Sequence, residues 1–222
     1  MKPVVIDEPL LARYASGKFL FFDFETFPSL ENDGVFVPDL AVAINHDNEQ
    51  FIFPDNIDEL GRDITWDLCE FIFQKKYENY LVLAHNFRGF DGFFILRWLL
   101  QNGIQLQIMN GSQLLELDVP EYKIKFRDTL NYVGMSPSNW AKAFDVKQSR
   151  GFFPHKLNSQ EYWHQTITFP NRHFFNYQLL TKKERKDFLK VYRKDRRKKK
   201  NRYDVDAELV QYYIQDTITL QS

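Results

Sequence analysis

Cysteine is almost absent from this 222-residue sequence, the single example being Cys69. One thiol excludes an intrachain disulfide, and its place in the apolar-periodic stretch WDLCEFIF predicts a small buried side chain. Long apolar runs are also missing: nowhere do about eighteen uncharged apolar residues follow one another, and the N-terminal stretch has no secretory pattern. The sequence therefore predicts an intracellular protein of a reducing compartment with no membrane partner.

A strong net charge is lacking as well, since the formal value is −1, but the charges are segregated. Thirteen Lys or Arg residues and only three acids lie between Lys182 and Arg202. Such a run is either the solvated face of a helix, which is slightly favoured because basic helices are common, or an arm that attracts phosphates.

Apolar and aromatic residues are abundant, at 44% and 17%, so the chain can bury a full core. Strand and helix patterns alternate without an internal repeat or a low-complexity linker, which predicts one α/β domain over residues 1–222. A first group of predicted elements comprises a central strand at 18–27, a hairpin at 35–54 that turns at HDN, a helix at 63–76, a strand at 80–86 and a helix ending at Gly103. A second group comprises strands within 104–130, a short helix at 136–145, an irregular aromatic stretch at 150–180 and helices at 182–200 and about 204–220.

Three acids lie within or shortly after the predicted buried strands. Asp23 and Glu25 alternate within LFFDFETF, so their carboxylates point to the same side of the sheet, where burial of like charges is unfavourable without a cation. By itself a D-x-E pair is more often a pair of ordinary strand-end acids. Asp91 comes where a buried strand gives way to a helix, which is where α/β folds place site residues, although the position also suits a helix N-cap.

A fourth acid lies near the C-terminus. Tyr212 and Asp216 are four residues apart on a predicted helix, so they share one face with Leu209 and Leu220. Four carboxylates in this order suit metal-dependent hydrolysis of a phosphodiester, in which two divalent ions about 3.5–4 Å apart activate water and stabilise the leaving group. Hard oxygen ligands favour Mg²⁺ or Mn²⁺, and the scatter of the five histidines argues against zinc: His46, His85, His155, His164 and His173.

Taken together, FFDFET, LAHNFRGFDGFFIL and YYIQD resemble the three exonuclease motifs of family B DNA polymerases, the last being the tyrosine-bearing motif of DEDDy exonucleases. FRDTLNYV and RGFFPHKLN are similar to segments of the protein-primed branch, found in phages, linear organellar plasmids and Maverick-type elements. The resemblance extends from about Lys18 to the C-terminus. It implies a ribonuclease-H-like fold, with a mixed central sheet flanked by helices, and a 3′–5′ exonuclease that proofreads during DNA replication by a two-metal mechanism.

The resemblance also assigns residue roles. Asp23, Glu25 and Asp216 would hold the first Mg²⁺ or Mn²⁺ ion, Asp23 would bridge to the second ion, which Asp91 would support, and Tyr212 would orient the attacking water. Contacts with the single-stranded primer 3′ end are implied for Thr26, His85, Asn86, Phe90, Phe94, Thr129 and Leu130. Phe90 and Phe94 are equally plausible core residues, and Thr129 and Leu130 also suit an ordinary strand end.

The sequence departs from the family pattern at two points. Arg150 precedes Gly151 where the protein-primed branch has a catalytic lysine; arginine keeps the charge but not the compact ammonium group, so the contribution of Arg150 is open, and Lys147 is a second candidate. No polymerase motif follows Asp216, so this chain alone is not expected to synthesise DNA. Its expected partners are a polymerase domain in a longer chain and a terminal priming protein, with residues 1–17 leading into the exonuclease domain and residues 182–202 forming a basic helical segment.

Two other functions remain open at this point. A catalytically inactive, exonuclease-like module could hold single-stranded nucleic acid through the basic segment and the aromatic residues. A DEDD exonuclease could also act on RNA, although the segments similar to the protein-primed branch argue weakly against RNA as the substrate. Retention of four unfavourable, converging carboxylates favours the enzyme over the binding module.

Overall fold

The computed structural model describes residues 17–29, 35–54, 62–110, 114–135, 152–159 and 161–221. The helix predicted at 136–145, and the lead-in at 1–17 apart from its last residue, lie outside this part of the chain. Within the described ranges no helix combines the length and apolarity needed to cross a membrane.

A mixed seven-stranded sheet forms the centre of the fold, in the order β3-β2-β1-β4-β7-β6-β5. Its three middle strands, β1, β4 and β7, run parallel, and the outer strands pair antiparallel. The strands are β1 (Phe19–Pro28), β2 (Phe36–Asn45), β3 (Gln50–Pro54), β4 (Leu81–Ala84), β5 (Gln107–Asn110), β6 (Leu114–Val119) and β7 (Ile124–Asp128). The predicted α/β class and mixed central sheet are thus confirmed.

The strand β1 is buried on both faces, as its apolar run predicted. Phe22 is fully buried, and its ring meets the ring of Phe87 at a centroid distance of 6.4 Å and that of Phe126 at 6.3 Å. Burial of a phenylalanine side chain is worth roughly 1.5–3 kcal/mol, so the Phe-rich centre of the sheet is a major source of stability.

The predicted hairpin joins β2 and β3. The Asn45 Oδ1 atom accepts hydrogen bonds from the backbone N–H groups of Asp47, at 3.0 Å, and Glu49, at 2.9 Å. Asn48 adopts a φ of 65°, in the left-handed region that asparagine tolerates better than most residues. The Asn/Asp turn chemistry inferred from HDN is therefore present.

Four α-helices lie in the described ranges: α1 (Ile64–Ile72), α2 (Asp91–Gln101), α3 (Lys182–Lys198) and α4 (Val205–Gln221). The helix α2 ends just before Gly103, whose φ of 65° is a left-handed conformation that glycine adopts without strain. The basic helix α3 begins with a capping box in which Thr181 and Glu184 bind each other's backbone N–H groups.

The helices cover both faces of the sheet. Leu20, Phe22 and Phe24 of β1 pack with α1 and α2, whereas Phe21 of β1 packs with Leu83 and with Leu220 of α4. Side chains alternate along a strand, so the odd-numbered residues of β1 face α4. This alternation decides where Asp23 and Glu25 point.

A second, two-stranded sheet in the C-terminal part of the chain was not predicted. It pairs β8 (Thr166–Thr168) with β9 (Arg202–Asp204), and β9 lies between α3 and α4. Each strand has only three residues, which is too short for a periodic apolar pattern to reveal it. The predicted helices at 182–200 and about 204–220 were otherwise close to their observed bounds.

Candidate active site

Asp23 and Glu25 lie beyond the carboxyl end of the neighbouring parallel strand. Phe19–Phe21 pair with Leu81–Leu83, and β4 ends one residue later, so β1 continues alone on that side. The carboxyl edge of parallel strands is where open α/β sheets bind ligands. The structure thus places this acidic pair at a typical site position.

Glu25 is at the centre of the acidic group. Burial raises the pKa of the Glu25 carboxyl well above its usual value, and the negative charge of Asp23 raises it further. The charges of Asp216 and Asp39 act in the same direction, while a hydrogen bond donated by the Tyr213 hydroxyl lowers this pKa. Residues from β1, β2 and α4 therefore meet around Glu25.

Asp91 approaches the same strand from the other helix layer. It is the first residue of α2, is 2% exposed, and its Oδ1 accepts a hydrogen bond of 3.1 Å from the backbone N–H of Phe24, the residue between Asp23 and Glu25. Burial raises the pKa of Asp91 to about 7, although hydrogen bonds from the Phe24 and Asp91 backbone N–H groups oppose this shift. Three segments that are distant in sequence thus bring the predicted acids to one stretch of β1.

Asp39 is an acidic neighbour that sequence reasoning missed. Glu25 pairs with Leu40 and Thr26 with Pro38, so Asp39 is the extra residue of a β-bulge in β2. Bulges re-aim side chains and recur beside active sites, and Pro38 suits a bulge because it lacks a backbone donor. The pair Pro38-Asp39 inside an otherwise apolar strand was the available signal.

The two tyrosines of the YYIQD motif have different surroundings. Tyr213 is buried and hydrogen-bonds Glu25, and both burial and the Glu25 charge raise the pKa of its hydroxyl. Tyr212, the residue expected to orient water, is also buried, and its ring packs against Phe153 at 5.4 Å and His155 at 5.5 Å. No role for Tyr213 was predicted from the sequence.

Part of the predicted DNA-contacting set assembles where β4 and β7 end. The His85 Nδ1 atom lies 3.0 Å from the Thr129 Oγ1 atom, and Thr129 Oγ1 also donates to the Ala84 carbonyl at 3.3 Å. Burial lowers the pKa of His85, although the charge of Asp128 opposes this shift. The lowered pKa favours the neutral imidazole, in which one ring nitrogen can accept a hydrogen bond.

Asp128 holds the loop that carries Asn86. Its Oδ1 accepts from the backbone N–H groups of Asn86, at 3.0 Å, and Leu130, at 2.9 Å, and its Oδ2 accepts from that of Arg88 at 3.1 Å. Asn86 has a φ of 60°, and a Cβ atom added at Gly89 would come within 2.5 Å of the Asn86 Oδ1 atom. Asp128 and Gly89 thus fix the position of Asn86, a positioning role that the sequence analysis missed.

The predicted aromatic contacts divide between core and surface. Phe94 packs against the main core, with its ring 5.2 Å from that of Phe24, which supports the core alternative for this residue. Phe90 lies between Phe94, at 5.5 Å, and the half-exposed Phe36, at 6.0 Å. Thr26 is partly buried on β1, and its carbonyl accepts a hydrogen bond from Asn158 at 3.3 Å.

Arg150 and its possible substitute Lys147 lie outside the described residues, so their predicted role stays a prediction.

Most of the sequence also matches a known protein family. Residues 73–222 match the family described as DNA polymerase type B, organellar and viral. This chain belongs to that family of type B DNA polymerases. The matched region includes the acids of α2 and α4, and the segment that carries the Asp23 and Glu25 pair precedes it.

Named relatives of this chain are described as DNA polymerases or probable DNA polymerases. It is 30% identical over 162 residues to a probable DNA polymerase of Neurospora intermedia, covering 67% of this chain and 16% of the relative. It is 25% identical over 137 residues to a DNA polymerase of Streptococcus phage Cp-1, covering 60% and 24%. Among solved structures it is similar to Phi29 DNA polymerase complexed with primer-template DNA and incoming nucleotides, with 15% identity, a TM-score of 0.48, and coverage of 92% of this chain and 30% of that one. The chain thus spans less than a quarter of the length of these two curated relatives.

The acidic group of this polymerase-family chain has the chemistry of a site for hard divalent cations. Its donors are carboxylate oxygens, and a bound cation would offset both the burial and the like-charge repulsion that raise the pKa of Glu25. In the part of the chain that the structure describes, however, no three His, Cys, Asp or Glu side chains stand at the spacing of a preformed ion site. The donor type and charge fit Mg²⁺ or Mn²⁺, and the carboxylates would have to draw closer on binding.

Proposed function

We propose that this chain is the 3′–5′ exonuclease domain of a protein-primed type B DNA polymerase and removes nucleotides from single-stranded DNA 3′ ends. The observation that carries the proposal is the convergence of three acidic motifs, from β1, from the start of α2 and from α4, at the carboxyl edge of the parallel strands. The mixed sheet with helices on both faces supports the ribonuclease-H-like fold implied by the sequence.

The proposed roles follow the positions of the acids. Asp23, Glu25 and Asp216 would hold one ion, with Asp23 shared with a second ion that Asp91 supports. When bound, two divalent ions activate the attacking water and stabilise the leaving oxygen of the phosphodiester. Tyr213 would orient the Glu25 carboxylate by hydrogen bonding. Tyr212 would orient the attacking water, as the resemblance in sequence implies.

The single strand would lie along the loop at the ends of β4 and β7. His85, Asn86 and Thr129 present hydrogen-bonding groups there, and the half-exposed Phe36 beside Phe90 offers an aromatic surface on which a base can stack. We further propose that the activity proofreads for a polymerase domain and acts with a terminal priming protein.

Metal-dependent degradation from the 3′ end tests this proposal. A 5′-labelled single-stranded oligonucleotide should yield a ladder of shortened labelled products with Mg²⁺ or Mn²⁺, because all proposed ligands are hard oxygens. Excess chelator should stop the reaction, and a 3′-labelled strand should release its label first as a mononucleotide. Full activity in excess chelator, or loss of label from the 5′ end, would contradict the proposal.

One observation favours a second function, a module that binds single-stranded nucleic acid without cutting it. The described residues contain no group of three potential ligands at ion-binding spacing, as a module that never binds an ion would show. Calorimetry with Mn²⁺ separates the two functions, since the exonuclease should bind the ion at the acidic group and the binding module should not. Degradation assays with matched single-stranded DNA and RNA show which of the two nucleic acids is the substrate.

A further inference from the structure

A second concave site lies beside the acidic group. A cavity of about 260 Å³ opens between α3, α4 and the aromatic segment that begins at Phe152. Tyr212 and Gln215 of α4 line it, and Asp216 of the acidic group directly follows Gln215. The cavity and the proposed active site therefore lie on neighbouring parts of the same helix.

Aromatic rings form the walls of this cavity. Phe188 of α3 is fully buried, and its ring meets that of Phe152 at 5.1 Å and that of Phe175 at 5.2 Å. Phe152 is 36% exposed and Val191 is 38% exposed, so both keep an apolar surface open to solvent at the cavity. An open aromatic surface backed by rigid buried rings is suited to stacking a planar ligand.

Polar groups complete the lining. The exposed Lys198 lies at the cavity on the C-terminal end of the basic helix α3, and Gln211 and Gln215 contribute side-chain amides from α4. Lys199 is held by an ion pair with Glu208, and its ammonium group lies 5.1 Å from the centre of the Tyr203 ring. Asp195 also lines the cavity, so the lining itself carries two basic and two acidic side chains. The site thus combines stacking surfaces and amide hydrogen-bonding groups with the exposed ammonium group of Lys198.

We propose that this cavity binds one nucleotide of the single strand whose 3′ end lies in the acidic site. Its base stacks on Phe152 and Val191, the amides of Gln211 and Gln215 face the base edge, and Lys198 meets a phosphate. At about 260 Å³ the cavity is slightly smaller than the roughly 300–1,000 Å³ of sites for drug-sized ligands, which suits a single base. The inference deepens the proposed function and rests on it.

The excess of positive charge on α3 argues for this occupant over an apolar peptide or a lipid. Thirteen basic residues between Lys182 and Arg202 produce a field that attracts a polyanion, and single-strand binding sites combine such a field with aromatic side chains. A peptide would make no use of that field unless it were acidic.

An abasic scan tests the proposal by binding alone. Affinities of the 222-residue chain are measured by fluorescence anisotropy, in excess chelator, for oligothymidylates that carry one abasic unit at successive positions from the 3′ end. One position upstream of the terminal nucleotide should weaken binding about tenfold, because one stacked base is lost. Phe152→Ala should weaken binding of the intact strand by a similar factor. The affinity of this variant should not fall further when the strand carries the abasic unit at that position.

Val191→Ala provides a second variant should Phe152→Ala fail to fold, and it should show the same insensitivity to a smaller degree. Leu100→Ala is the control, since Leu100 is 63% exposed on α2 and does not line the cavity. If the parent and Phe152→Ala respond identically to every abasic position, the cavity does not bind the strand. If the cavity effect is present but no hydrolysis occurs with Mg²⁺ or Mn²⁺, the proposed function fails and the binding site stands.

Discussion

At the scale of single residues, Glu25 is a buried carboxyl group surrounded by like charges. Burial and the charges of Asp23, Asp216 and Asp39 oppose its ionisation, and the Tyr213 hydroxyl only partly compensates. A divalent cation would reverse this balance by favouring the carboxylate form. The like charges around Glu25 are thus unfavourable without a cation, as expected for a site whose proposed function requires divalent ions.

Asp91 provides a pH test of the buried site. Its pKa is raised to about 7 from an ordinary value of 3.8, so its ionisation opposes folding. The resulting destabilisation is absent below about pH 4, grows as the pH rises and is complete above about pH 7, reaching a few kcal/mol at roughly 1.4 kcal/mol per pKa unit. Asp91→Asn keeps an oxygen that can accept from the Phe24 N–H, so in chelator it should be more stable than the parent at pH 8 and similar at pH 4.

Urea unfolding at several pH values between 4 and 8 measures this difference. A variant whose stability follows the same pH dependence as the parent would show that Asp91 is not the group responsible. With Mg²⁺ present, Asp91→Asn should also lose hydrolytic activity, since it is the proposed support of the second ion.

The two neighbouring tyrosines can be separated by removing one hydroxyl at a time. Tyr212→Phe keeps the packing against Phe153, so it should lower the hydrolysis rate by at least about tenfold with little change in melting temperature. Tyr213→Phe removes the hydrogen bond to Glu25 and should destabilise the fold by about 1 kcal/mol. Hydrolysis rates and melting curves of both variants show which hydroxyl orients the attacking water. A large loss of rate in Tyr213→Phe alone would assign this role to Tyr213 instead of Tyr212.

At the scale of secondary-structure elements, alternation along β1 explains the site. The even-numbered residues Phe22 and Phe24 pack with α1 and α2, which leaves Asp23 and Glu25 on the face covered by α4. This arrangement was predictable from LFFDFETF and from the Tyr212 and Asp216 spacing. The bulge at Asp39 was not, because it depends on the register between β1 and β2, which no pattern within one strand reveals.

The basic helix α3 has a testable role in binding. Lys190 and Lys194 are exposed on one face of it, and if this face follows the DNA backbone, replacing both with Gln should weaken single-strand binding. The slope of log affinity against log salt should become shallower by about 1.4, at roughly 0.7 per phosphate contact. The matched control replaces Lys75 and Lys123, which are exposed elsewhere; equal slopes for both double variants would identify the face as merely solvated.

At the scale of the whole molecule, the sequence predicted best those elements that have a long periodic pattern of apolar residues. It predicted least well the features that depend on tertiary contacts. The central strand, the Asn-rich hairpin and the helix ending at Gly103 followed from local patterns. The β8 and β9 pairing and the contacts made by Asp128 and Tyr213 depend on segments that are distant in sequence. The same convergence of distant segments assembles the acidic group.

The most direct test of the central claim combines rate and stability in one variant, Asp23→Asn with Glu25→Gln. These changes keep the shape of the side chains and an acceptor for the Tyr213 hydroxyl, but they remove two proposed ligands of the first ion, one of which, Asp23, is also shared with the second ion. Hydrolysis of a single-stranded 3′ end should fall by orders of magnitude, whereas the melting temperature in chelator should be unchanged or higher because the like-charge repulsion is gone. A variant that still degrades DNA at the parent rate, or that melts far below the parent, would contradict the assignment of these acids to an exonuclease site.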